Sequence, residues 1–428
     1  MRPAAFLTMC ALMAFLPGPV TAAAVESGRY PNLVARLDPV VGPAEVNAKI
    51  ADYWHSLFEG DEDSRVFYAA APTADGPSAY ILDVGNADVR SEGMSYGMMI
   101  AVQTDHKAAF DALWNWAATH MRYRDGPRAG YFRWQCKPTG CDADTVPASD
   151  GEAYIATALL MAAERWGSGT ALYDYAAQAD SVLDVMLHKQ EMNGGIVAGV
   201  TDMFDARTDQ VVFVPVGDSA TFTDPSYHLP AFYDYWARHA TGWRGRRTQD
   251  RRRWRRIATT SRKYLARVVD RQTGLGPDYA TFDARPVAIG GHDDFRYDAF
   301  RTAANWSVDQ AWWGKNPSAA TLSDRVQRFF EARGSRYPSL YRVDGTVLDP
   351  APSSALIASN AVASLAGGQP FRPAFVSTLW ALDPPRGRWR YYDGLLQFMA
   401  VLHVSGRFRA YERPVARRGA RAPNLAPG

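Results

Sequence analysis

From about Glu45 onward, apolar residues recur every three to four positions far more often than every second one, and this restricts the chain to an all-α fold. Helical patterns begin near Glu45, Ser91, Ser149, Thr170, Ser226, Arg251, Asp298, Ala319, Ser353, Phe375 and Asp393, and Gly167, Gly314, Gly367 and Gly406 close several of them. Alternating runs are few and short, as at residues 210–216. No low-complexity linker divides the pattern before a Pro/Arg/Ala-rich tail past Arg413, so 428 residues are read most economically as one compact helical domain.

The first 24 residues read differently. Arg2 precedes an apolar run over residues 6–16 and small residues at Thr21, Ala22, Ala23 and Ala24, the pattern of a cleaved secretory signal. The run is too short for a bilayer span, and no later stretch reaches about 18 uninterrupted apolar residues. The expected mature protein is periplasmic or secreted, with one domain over residues 25–412 and a basic tail at 413–428. Cys10 falls within the signal. Cys136 and Cys141 remain, and in an oxidising compartment the spacing CKPTGC permits a disulfide closing a small loop.

With 47% hydrophobic and 21% charged residues and a formal net charge of +2, no strong field directs the chain to nucleic acid. The dense basic run RGRRTQDRRRWRR, residues 244–256, reads as the solvated face opening a surface helix. In HDDF, residues 292–295, a His and two Asp are types that hold divalent cations, yet no second His has ligand spacing and loop Asp residues commonly make turns. No metal and no cofactor are expected. The 13 Trp and 21 Tyr suit a ligand with apolar CH faces and hydroxyl edges, although most such rings serve a core.

Carboxylates at helix starts carry the functional signal. In SDGEAYIATALLMAAERWG, Ile155, Leu159, Ala162 and Trp166 follow helical spacing behind a capping box of Ser149 and Glu152, which puts Asp150 in the first turn. Asp298 sits at the N-terminal edge of the helix marked by Phe300, Ala304, Val308 and Trp312. In NADVRSEGMSYGMMIAVQ, Ser91 as N-cap places Glu92 in the first turn. Taken singly, each acid is explained by the helix dipole and unpaired N–H groups. Taken together, two carboxylates from distant helices facing each other are what glycosidic bond cleavage needs, one protonated and one ionised. In the same stretch Gly93, Gly97 and Ala101 recur every four residues. They form a smooth face for close approach of a neighbouring helix, with Gly93 leaving room for a sugar beside Glu92.

The segments NADVRSEGMSYGMM, GYFRWQC, ASDGEAYIATALL, DPSYHLPAFYDYWA, FRYDAFRTAANWSVDQAWW and YYDGLLQFMAVLHVSG resemble the successive motifs of glycoside hydrolase family 8, above all its xylan-active branch. The resemblance implies an (α/α)6 barrel of six inner and six outer helices with a cleft across one end. It implies Glu92 as general acid and Asp298 as the base activating water for inversion. Asp150 would hold the sugar between them, Tyr227 would lie close to the water, and Trp134 and Arg301 would contact substrate. The partner so implied is xylan or a xylo-oligosaccharide, cleaved by a monomer. A helix N-terminus lowers a carboxyl pKa, so burial, Asp150 or Asp88 must outweigh the dipole if Glu92 is to stay protonated.

One departure bears on the mode of attack. Exo-acting members of that branch carry Leu-His-Pro in a loop beyond the leaving sugar, and here Leu348-Asp349-Pro350 stands nearest. The alternatives are endo action on xylan, an endo-β-1,4-glucanase of the same fold, and a non-catalytic periplasmic oligosaccharide-binding protein.

Overall fold

Six helices, Ser91–Thr104, Ser149–Trp166, Pro230–His239, Thr302–Trp313, Ser354–Ala363 and Tyr392–Val404, pack side by side in chain order, and the last returns to the first. This closed inner ring is wrapped by Pro43–Trp54, Lys107–Trp116, Tyr175–Asn193, Arg247–Val268, Ala319–Glu331 and Arg372–Trp380, each packed on an inner neighbour. The architecture is the expected (α/α)6 barrel. It comes from a computed structural model describing residues 23–141, 145–368 and 370–412.

Burial separates the rings. In Ser91–Thr104 every residue from Gly93 to Gln103 is buried, as befits a helix apolar on all sides. Outer helices are amphipathic. Arg247–Val268 buries Asp250, Trp254, Ile257, Ser261 and Leu265 along one stripe, while Arg252, Arg255 and Arg256 face solvent as expected of the basic run. Arg253 turns inward and donates to the carbonyls of Leu187 and Phe204.

Several expectations are corrected. Lys107–Trp116 was missed because Asp105, in the left-handed region with φ of 69°, turns the chain where a glycine would ordinarily signal the break. The longest hairpin, Phe67–Thr73 with Gly76–Ile81, was also missed, and the strand expected at residues 210–216 shrinks to Gln210–Val211 paired with Phe204–Asp205. Ser226 and Asp298 lie in 3-10 turns, Pro225–Tyr227 and Tyr297–Arg301, ahead of their α-helices. Ser91 and Ser149 are the first residues of their helices and cap neither. The Ser149 hydroxyl donates to the Val212 carbonyl at 2.7 Å, and Glu152 accepts from the Phe132 amide at 2.8 Å, so tertiary partners replace the capping box.

Among the described residues no helix is long and apolar enough to cross a membrane. The expected signal, apart from Ala23 and Ala24, and the tail at 413–428 lie outside the described residues. Ala24 opens a short helix, Ala24–Ser27, packed on Thr302–Trp313. Cys136 and Cys141 are bonded, and Cys136 ends the bridge in which Val89–Arg90 pairs with Gln135–Cys136.

Candidate active site

The inner helices bring Glu92, Asp150 and Asp298 around one buried guanidinium, that of Arg301. Its Nη1 lies 2.8 Å from Glu92 Oε1 and 3.0 Å from Asp150 Oδ2, and its Nη2 lies 2.7 Å from Asp298 Oδ1. Glu92 and Asp150 stand in the first turns of their helices, and Asp298 precedes Arg301 by three residues within one 3-10 turn. Because separate nitrogens of a rigid fork hold Glu92 and Asp298, the bound oxygens stand at most roughly 8 Å apart.

Burial acts unequally on these acids. It pushes the Glu92 carboxyl up to about 8, with Asp150 and Asp298 adding to the rise and Arg301 and Arg90 opposing it. Asp88 is paired with Arg90 and accepts from Gln135. Asp150 is also raised, chiefly by burial and against the pull of Arg301. The Asp298 side chain is 29% exposed, which leaves it open to a solvent molecule. A largely buried acid inclined to hold a proton, its side chain 15% exposed, thus shares the guanidinium with a more accessible carboxyl.

The other expected residues adjoin this centre. The Tyr227 ring is buried, with the Arg301 guanidinium carbon 5.7 Å from its centroid. Half-buried Trp134 has the Arg90 guanidinium 5.5 Å from its ring, and its carbonyl accepts from the Ser91 amide at 2.9 Å. The motif HDDF does not converge. Asp293 is exposed, Asp294 pairs with Arg296, and His292 Nδ1 lies 2.5 Å from Asp278 Oδ2.

Sequence reasoning missed three partners. Arg301 also donates to the Tyr96 hydroxyl and, at 3.1 Å, to that of Ser226. Tyr96 is four residues from Glu92 on one helix, a spacing that could have revealed it. The Tyr391 hydroxyl donates to Glu92 Oε2 at 3.1 Å. Tyr391 also corrects the reading of the glycines. A Cβ at Gly93 would lie 2.4 Å from the Tyr391 ring, and one at Gly97 would lie 2.7 Å from Ile81, so side chains rather than a neighbouring helix backbone fill the space.

A closed double ring of helices that gathers carboxylates of unlike exposure on one guanidinium, at the N-terminal ends of its inner helices, defines a glycoside hydrolase. Residues 72–406 match the family described as Glycosyl hydrolases family 8, and the chain belongs to that family. It is 41% identical over 393 residues to Rex8A of Paenibacillus barcinonensis, a reducing-end xylose-releasing exo-oligoxylanase, covering 91% of this chain and 98% of that protein. A more distant relative is endoglucanase A of Acetivibrio thermocellus, 26% identical over 76% of this chain and 63% of that protein. Among solved structures, a family 8 xylobiose complex from Teredinibacter turnerae superposes with a TM-score of 0.86 at 43% identity, over 91% of this chain and 99% of that one.

Proposed function

We propose that this glycosidase cleaves β-1,4-xylosidic bonds in xylo-oligosaccharides or xylan with inversion, releasing xylose from the reducing end, as a monomer exported to the periplasm or the medium. The observation that carries the mechanism is Arg301 holding Glu92 and Asp298 on separate nitrogens. The resulting limit of roughly 8 Å admits the roughly 6.5–9.5 Å of an inverting pair as well as the roughly 5–5.5 Å of a retaining one, so inversion is carried by membership of family 8 and not by this spacing. Glu92, pushed up by burial, donates its proton to the leaving oxygen, and Asp298 takes a proton from the attacking water. Asp150 and Arg301 hold the sugar and the two reacting carboxyls, Tyr227 lies by the water, and Trp134 offers a stacking face.

The substrate reading is supported by relatives at 36–41% identity named for releasing xylose from reducing ends, against 24–26% for endoglucanases matched over three quarters of this chain. Endo action is the second reading, and Asp349 favours it. The hairpin of Leu340–Tyr341 with Val347–Asp349 is tied to the segment leading into Asp298 through the Phe295 and Tyr341 backbones, and the exposed Asp349 accepts from the amide of Ala351.

Xylo-oligosaccharides labelled at the reducing end decide between them, with product size and anomer followed in time. Labelled xylose as the first product supports exo action, and mixed lengths support endo action. An initial β-anomer would rule out inversion, and hydrolysis of carboxymethylcellulose in preference to xylan would make the enzyme a glucanase. Sugar binding with no product would make it a binding protein.

A further inference from the structure

Asp278 lies in the loop before the turn Tyr297–Arg301 and is fully buried, although nothing in the sequence marks it. Its Oδ1 accepts from the amide of Ala299, the residue after Asp298, at 2.9 Å. Its Oδ2 faces His292 Nδ1 at 2.5 Å, and that imidazole stacks on Tyr279. Asp224 is equally buried, and one oxygen from each of Asp224, Asp278 and Asp298 lies within 4.8 Å of the other two. Asp224 Oδ1 accepts from the Ser226 amide at 2.6 Å, while its buried Oδ2 meets no donor among the described residues.

Three carboxylates this close do not all stay ionised, least of all two without contact with water. The cations facing them are already engaged. Arg301 contacts Asp298 and shares its charge with Glu92 and Asp150, and Arg296 binds both oxygens of Asp294. His292 is held below its ordinary range by burial and by Arg296. Asp298 alone combines a guanidinium contact with access to solvent, so the negative charge belongs there. Burial pushes the carboxyls of Asp224 and Asp278 well up, and their acidic neighbours push the same way. The turn also needs anchoring, because Tyr297 has φ of 25°, in the region that disfavours side chains.

We propose that Asp278 is the positioning residue of the base: as an uncharged acid it anchors the turn through the Ala299 amide, donates to His292 Nδ1, and leaves Asp298 the ionised member of the cluster. This rests on the reading of Asp298 as the base. The test compares Asp278→Asn and Asp278→Leu with the wild type, using whichever labelled xylo- or cello-oligosaccharide the wild type cleaves. An asparagine carbonyl still accepts from Ala299 and its amide still donates to His292, whereas leucine does neither. Asp278→Asn keeps kcat within about threefold and leaves the acidic limb of the kcat/KM profile in place, while Asp278→Leu lowers kcat about tenfold or more at little-changed KM.

If Asp278 were charged, its neutralisation would weaken proton binding by the base and move the acidic limb of Asp278→Asn down by about one pH unit or more. That shift overturns the proposal, as does wild-type kcat in Asp278→Leu or equal damage in both variants. Should Asp278→Leu fail to fold, the profile of Asp278→Asn still decides. Asp298→Asn is run alongside, and near-native activity there refutes the base itself, separately from Asp278.

Discussion

Tyr391 fills the space that any side chain at Gly93 would need, and from that position its hydroxyl donates to Glu92 Oε2 at 3.1 Å. The glycine that weakens the start of Ser91–Thr104 therefore seats a hydrogen-bond partner for the adjacent acid. In Gly93→Ala the helix gains roughly 1 kcal/mol of propensity but drives a Cβ into a buried ring, which costs about 1–3 kcal/mol. Urea unfolding is expected to show no net stabilisation, and kcat to fall as Tyr391 is displaced; a more stable, fully active variant would refute this packing.

Glu92→Gln and Asp298→Asn are each expected to lower kcat by roughly 10²–10⁴-fold, since each removes one proton-transfer group and leaves the fold intact. Circular dichroism should match the wild type in both. Near-native turnover in either removes that residue from the chemistry.

The pH dependence has a definite sign. The active form of Glu92 is protonated, and burial raises its carboxyl to about 8, so kcat/KM holds below that value and declines as pH rises through it. Residual activity of Glu92→Gln should lack this alkaline decline. An alkaline limb unchanged in the variant would assign it to another group.

Glu152 offers a stability test away from the chemistry. It is fully buried, Oε1 accepts from the Phe132 amide and Oε2 has no partner among the described residues, and burial pushes its carboxyl well above the ordinary 4.5. A raised folded-state value means that its stabilising contribution is complete below 4.5 and is lost as pH rises above it. Glu152→Gln keeps the carbonyl acceptor without a charge to bury, so its Tm relative to the wild type should rise as pH increases from that point. A Tm difference independent of pH would show that Glu152 is not held protonated.

Legibility followed the range of each interaction. Helical periodicity marked eleven of the twelve ring helices, because burying one face of a helix imposes a local period. First-turn placement of Glu92 and Asp150 was legible for the same reason. The capping box was not what it seemed, since Ser149 and Glu152 had better partners on distant segments, at Val212 and Phe132.

The residues themselves thus determined an all-α chain, the acids at its helix starts and, through several ordered motifs, its family. Tertiary structure decided the rest. That Arg301, besides its neighbour Asp298 in the same turn, reaches Glu92 and Asp150, and that Tyr391 occupies the gap at Gly93, are contacts between segments far apart in the chain, and the preceding loop must fold back to set Asp278 behind Asp298. Proton affinity in such a cluster is set by burial and by neighbouring charge, and both exist only once the inner ring has closed.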